Sequence, residues 1–127
     1  MKNWEEDTIA AIAGVMDEED LLVKLAQAAK NIGFDYCAYG AKMPIPISKP
    51  KVVMLNNYPI AWQEQYAKMN YYAVDPTVRH AFCSSMPIIW SADKFSNAGD
   101  MWENANCHGL KHGWAQSSRD ANGMVGL

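Results

Sequence analysis

Between residues 57 and 90 the chain carries phenols at Tyr58 and Tyr66, indoles at Trp62 and Trp90, a carboxylate at Asp75 and a hydroxyl at Thr77, all set among apolar neighbours. These groups differ in what they can do: an indole N–H only donates, an ionised carboxylate only accepts, and a phenol does both. Such a set suits a core or a pocket wall that must also hydrogen-bond. The same residues also suit plain structure. Tyr58, Trp62 and Tyr66 at four-residue steps make a packed helix face, and Asp75 ahead of Pro76 makes a helix cap. Residue types alone leave both readings open.

Bond-breaking chemistry finds little support. His80 and Cys83 stand one helical turn apart, with no third group to orient them and no oxyanion hole. Ser117-Ser118 lacks the strand-turn-helix elbow of a serine hydrolase. Cys107, His108 and His112 are close in sequence, but Gly109 breaks the helix that would align them. No catalytic residue, no metal site and no cofactor is therefore expected.

The elements that must position the polar set can be read from periodicity. Residues 3–15 predict one helix. A second follows, with Asp17 as N-cap, the stripe Leu21, Leu22, Leu25, Ala28, Ala29 and Ile32 as an ordinary core face, and Gly33 as terminator. Residues 34–40 predict a strand, 43–50 a proline-rich loop, and 51–55 a second strand paired with the first. Pro59 opens a helix that puts Trp62, Tyr66 and Met69 on one face. Asp75-Pro76 opens another, with Val78, Ala81 and Phe82 pointing one way. Residues 98–108 predict a helix with Met101, Trp102 and Ala105 inward and Gly109 as terminator. Residues 112–117 and 124–127 predict a hairpin around Asn122-Gly123. Helices and strands without a βαβ rhythm mean an α+β domain with an antiparallel sheet.

Composition sets the remaining bounds. The 127 residues, 50% hydrophobic and 20% charged, suit a single globular domain. A net charge of -3 excludes general binding to phosphate backbones. The apolar runs at 21–23 and 88–90 fall far short of a bilayer span, and no signal peptide opens the chain, so a cytoplasmic location without membrane contact is expected. Three cysteines with no CxxC spacing predict no disulfide framework.

In order and spacing, Trp62-x-x-x-Tyr66, Asp75-Pro76, Trp90 and Gly113 resemble the signal-binding domains of LuxR-type quorum-sensing regulators. Gly33-Phe34-Asp35-Tyr36, Lys49-Pro50 and Asn57-Tyr58-Pro59 extend the resemblance over nearly the whole chain. The resemblance implies an α-β-α sandwich, with a central antiparallel sheet, helices on both faces and the C-terminal part incomplete. Residues 1–127 would then be the N-terminal part of an autoinducer-binding domain. It further implies an N-acyl-homoserine lactone as ligand. Trp62 would donate to the lactone carbonyl, Asp75 would accept from the ligand amide, and Tyr58 would donate to the amide carbonyl. Tyr66 would wall the ligand and Trp90 would close its lactone end. Ala38, Val52, Met54, Val78, Phe82 and Leu110 would line the acyl tail, with Met54 and Phe82 setting chain length. Implied partners are a second copy or a related regulator. DNA would be contacted only through a C-terminal helix-turn-helix absent from this chain. A short regulator that silences a full-length one by mixed dimer formation is the alternative.

Overall fold

The computed structural model describes residues 4–14, 16–42, 52–121 and 124–127, and of Val52 and Val53 the backbone alone. The predicted loop at 43–50, the Asn122-Gly123 turn and the Val52 side chain lie outside the described residues. The chain forms two compact units, Met1–Tyr39 with Leu55–Tyr58, and Gly40–Met54 with Pro59–Leu127.

The first unit holds helices α1 (Trp4–Ala13) and α2 (Glu18–Asn31), which pack together, and parts of strands β1 (Ala38–Lys42) and β2 (Val52–Asn56). Asp17 caps α2 as its sequence position predicts, accepting from Asp20 N at 2.8 Å. Gly33, at φ 97°, takes the left-handed conformation that ends the helix. The stripe from Leu21 to Ala29 is half-buried, not core, and Ile32 is exposed. The first strand begins later than the predicted residue 34. Asn57 holds both backbone groups of Cys37, its Oδ1 accepting from Cys37 N at 2.7 Å and its own N–H donating to Cys37 O. The sheet ladder accordingly begins at Ala38.

The second unit carries the rest. Pro59 caps helix α3 (Ile60–Lys68), and its carbonyl accepts from Trp62 N and Gln63 N. Asn70, at φ 51°, reverses the chain into a 3-10 turn, Tyr71–Ala73. Asp75 then caps α4 (Pro76–Cys83), with Pro76 in the first turn as expected. After strand β3 (Ile88–Ile89), helix α5 (Gly99–Cys107) buries Met101 and Ala105 and gives way to Gly109 at φ 82°. Phe95, ahead of α5, is buried, with its ring 4.9 Å from that of Trp102.

The predicted hairpin of 112–117 with 124–127 is divided between two sheets. Strand β4 (Trp114–Ala115) pairs antiparallel with β3, whereas β5 (Ser118–Arg119) is the partner of β6 (Val125–Gly126). Buried Ser117 marks the switch, its hydroxyl donating to Ser84 O at 2.6 Å. The larger sheet has the order β2-β1-β6-β5, and its β1/β6 and β5/β6 pairings are antiparallel. The α+β expectation holds. Helix α4 packs on β6, and Arg119 of the neighbouring β5 ties that strand to α4 by donating to Ala81 O at 2.8 Å near the C-terminal end of the helix.

Gly113 stands beside Trp90 because nothing larger fits. A Cβ there would lie 2.7 Å from the indole ring, inside contact distance, while Gly113 O accepts from Trp90 N and fixes the backbone. Gly113→Ala is expected to cost about 1 to 3 kcal/mol through overpacking. Gly99→Ala, where the added carbon meets nothing within 4 Å, is expected to be near neutral. Denaturant unfolding of the two variants measures the contrast.

Candidate functional site

Trp62 is the one buried side chain of α3, with 4% of its surface exposed, and three rings surround it. Tyr71 stacks on it at 5.7 Å between centroids and 26° between planes, Tyr66 meets it edge-on at 5.9 Å, and His108 lies tilted at 5.5 Å. Tyr66 and Tyr71 also meet edge to face at 6.1 Å. Offset and edge contacts of this kind stabilise beyond the area they bury.

Asp75 closes this cluster on its polar side. Only 8% exposed, it takes three hydrogen bonds: Oδ1 accepts from Thr77 N at 2.9 Å and from Thr77 Oγ1 at 2.7 Å, and Oδ2 accepts from Tyr66 OH at 2.8 Å. Capping and site chemistry therefore coincide in one carboxylate. The helix N-terminus offsets part of its desolvation, and the Tyr66 hydroxyl aims Oδ2 along the aromatic wall. An ionised carboxylate offers about four acceptor positions, so one remains for another donor.

Along α4 from Asp75 the surroundings turn apolar. A narrow slot with a cavity volume of about 20 Å3, partly open to solvent, is lined by Ala41, Met54, Tyr72, Val78, Phe82 and Leu127 among others. Val78 lies about one turn from Asp75 and Phe82 about two, so the slot runs roughly 10 Å from the carboxylate. Adjacent tyrosines of the 3-10 turn join the two regions: Tyr71 belongs to the ring cluster and Tyr72 to the slot.

Residues 17–127 match the family described as Autoinducer binding domain. The chain belongs to this family. It is 46% identical over 129 residues to the transcriptional activator protein AnoR of Acinetobacter nosocomialis, covering 100% of this chain and 54% of that protein. Among solved structures, Escherichia coli SdiA superposes with a TM-score of 0.85 at 29% identity, covering 97% of this chain and 52% of that one. The N-acylhomoserine-lactone-dependent LuxR family transcription factor CepR2 of Burkholderia cenocepacia superposes with a TM-score of 0.82 at 28% identity, covering 96% and 72%. The chain spans about half the length of the curated relatives it matches. Those relatives are transcriptional activator proteins.

Within the autoinducer-binding domain, the residues expected at the site divide by place. Trp62, Tyr66 and Asp75 are brought together, and so are Met54, Val78 and Phe82. Trp90 is held by Gly113, and its Nε1 is buried without a hydrogen-bond partner among the described residues. Tyr58 lies in the first unit, its ring 5.9 Å from that of Tyr36. Two expected tail residues do not line the slot. Ala38 is exposed, and Leu110 is buried where the chain leaves α5, its N–H bonded to Ala105 O. Met69, expected on the Trp62 face, is 51% exposed because the helix ends there and the chain turns away.

Sequence reasoning missed Tyr71, Tyr72 and His108. Tyr71 follows Tyr66 by a spacing off the helical face, and only the left-handed turn at Asn70 returns it to Trp62. The pair Tyr71-Tyr72 right after a helix-ending Asn was the available signal.

Tyr71 is 3% exposed, donates to Asp100 Oδ2 at 2.8 Å and accepts from Asn104 Nδ2 at 2.8 Å. Burial first, and then the Asp100 carboxylate, push its phenol above the ordinary 10.0, outweighing the lowering from Asn104 and Gln65. The folded state therefore holds the proton more tightly than the unfolded state. The resulting stability is complete below about pH 10 and is lost as pH rises through the folded value. Tyr71→Phe is expected to flatten the alkaline fall in unfolding free energy, leaving the neutral range without that pH slope. Urea unfolding across pH 8 to about 12 reads it.

Proposed function

We propose that the domain binds an N-acyl-homoserine lactone in the second unit, as the sensory part of a quorum-sensing transcriptional regulator. The observation that carries this reading is Asp75, a buried carboxylate with an acceptor position to spare, set between an aromatic cage and an apolar slot. An amide N–H next to a polar ring on one side and a hydrocarbon chain on the other fits that sequence of environments. Asp75 would accept from the ligand amide, and Trp62 would donate to the lactone carbonyl. Tyr66 and Tyr71 would wall the head group. Trp90 would stand at the lactone end, where its buried Nε1–H is a donor without an acceptor among the described residues.

The tail would follow α4 past Val78 to Met54 and Phe82. Met54, 43% exposed, and Phe82, 37% exposed, are covered poorly by protein alone, and a tail that packed on them would complete the core. The signal thus acts by being buried, not by being turned over. Contact with DNA, and pairing with a second copy, would fall to the regulator as a whole. The net charge of -3 offers this half no electrostatic hold on a phosphate backbone.

Trp62→Phe keeps a ring and removes a donor. Asp75→Asn keeps an oxygen to cap α4 but turns a donor toward the ligand amide. Each is expected to lose about 1 to 3 kcal/mol of lactone affinity by titration calorimetry on protein that circular dichroism shows to be folded, with a lowered unfolding midpoint from the buried change. Binding equal to wild type in both variants would sink the assignment.

The lactone is expected to be recovered intact after prolonged incubation with folded protein, as mass spectrometry of the extracted ligand would show. Hydrolysis beyond one equivalent would contradict a binding role.

A further inference from the structure

One residue in the slot does not belong to an apolar tail pocket. Lys42 lines it from β1, half-buried, and its Nζ sits 4.6 Å from the centroid of the Phe82 ring. The register explains how a cation comes to be there. Lys42 faces Val125 across β1/β6, and Gly40 and Leu127 exchange backbone hydrogen bonds at 2.8 Å one step along, so these alternate residues share the sheet face that floors the slot. Arg119 faces Val125 from the other side, giving that face a second cation. The two are not in the same state. The Arg119 guanidinium donates to Ala81 O, whereas the Lys42 ammonium has a ring face and, among the described residues, no carboxylate or carbonyl partner.

We propose that Lys42 is a specificity-determining residue that selects ligands whose acyl tail bears an oxygen, a keto or hydroxyl group, where the tail passes β1. This rests on the reading that the slot receives the tail. An ammonium carries three donors and no acceptor. A plain hydrocarbon tail in the slot strips water from it and returns nothing, leaving the cation–π contact as its compensation. A tail oxygen supplies the missing acceptor, in a place where Lys42 and Arg119 together favour electron-rich groups. The position of Lys42 decides the sign: the residue disfavours unsubstituted tails and favours oxygenated ones of the same length.

Lys42 also braces α4 through Phe82, so a purely structural role has to be told apart from selection. Lys42→Met keeps the length and apolar stem of the side chain and deletes the charge. The full chain and this variant are titrated with length-matched acyl-homoserine lactones, unsubstituted, mid-chain keto and mid-chain hydroxy, while urea unfolding follows stability without ligand.

Wild type is expected to prefer an oxygenated member by about tenfold, and Lys42→Met to lose or reverse that order by binding the unsubstituted tail more tightly. An unchanged order in the variant, or a uniform weakening of all three ligands with lower stability, overturns the proposal in favour of a brace and leaves the lactone reading standing. Absence of binding by every lactone to wild type overturns that reading as well.

Discussion

A carboxylate taken out of water must find donors, and most of the second unit is arranged around the donors that Asp75 finds. Thr77 supplies a backbone N–H and a hydroxyl from the first turn of α4, and Tyr66 supplies a phenol from α3. These bonds fix how α4 begins and where α3 ends relative to it. Removing the carboxylate would leave a buried hydroxyl and a helix N-terminus without their acceptor, which costs more than the net worth of the bonds themselves. The residue best placed to recognise a ligand amide is thus the one the local fold can least spare.

Aromatic packing supplies what hydrogen bonding does not. Trp62 sits under Tyr66, Tyr71 and His108, and those rings come from α3, the 3-10 turn and the end of α5. His108 is oriented by a 2.8 Å contact between Nδ1 and Asn104 O, and Tyr71 by Asp100 and Asn104. Helix α5, from Asp100 in its first turn to His108 just past its end, therefore holds the cage from outside. A rigid cage of this sort lowers the ordering cost of closing on a small polar head group.

The slot is built on a different principle. Its walls are the sheet face carrying Gly40, Lys42, Val125 and Leu127 on one side and the Val78–Phe82 face of α4 on the other, with Met54 and Tyr72 between. None of these residues hydrogen-bonds across the gap, and several stay partly exposed, so hydrocarbon entering there removes apolar surface from water at every step. Polar fixation at one end and non-directional burial at the other divide recognition of a head group from measurement of a tail.

The helix signals were legible in the sequence because each depends on a few adjacent residues. Asp17 and Asp75 cap, Pro59 and Pro76 open, and Gly33 and Gly109 close, all by local backbone geometry. Trp62 and Tyr66 on one helix face and Asp75 as a cap could be named for the same reason, whereas grouping them as one site came from the resemblance to a family. What the sequence could not decide was where distant segments meet. Residues 112–117 read as the hairpin partner of 124–127, yet Trp114-Ala115 pairs with β3 and the next residues, Ser118-Arg119, pair with β6, a choice that depends on pairing partners far away in the chain. Tyr71 reached Trp62 only through the left-handed turn at Asn70. Lys42 entered the slot only through its register with Val125, where a shift of one residue would have put it on the opposite face. Ala38 and Leu110 lie away from the slot for the same cause: strand start and helix exit are set by tertiary partners, Asn57 for one and the packing of α5 for the other. Sequence determined the groups and their local frames, and tertiary structure decided which of them share a space, because burial and register are properties of pairs that no single segment contains.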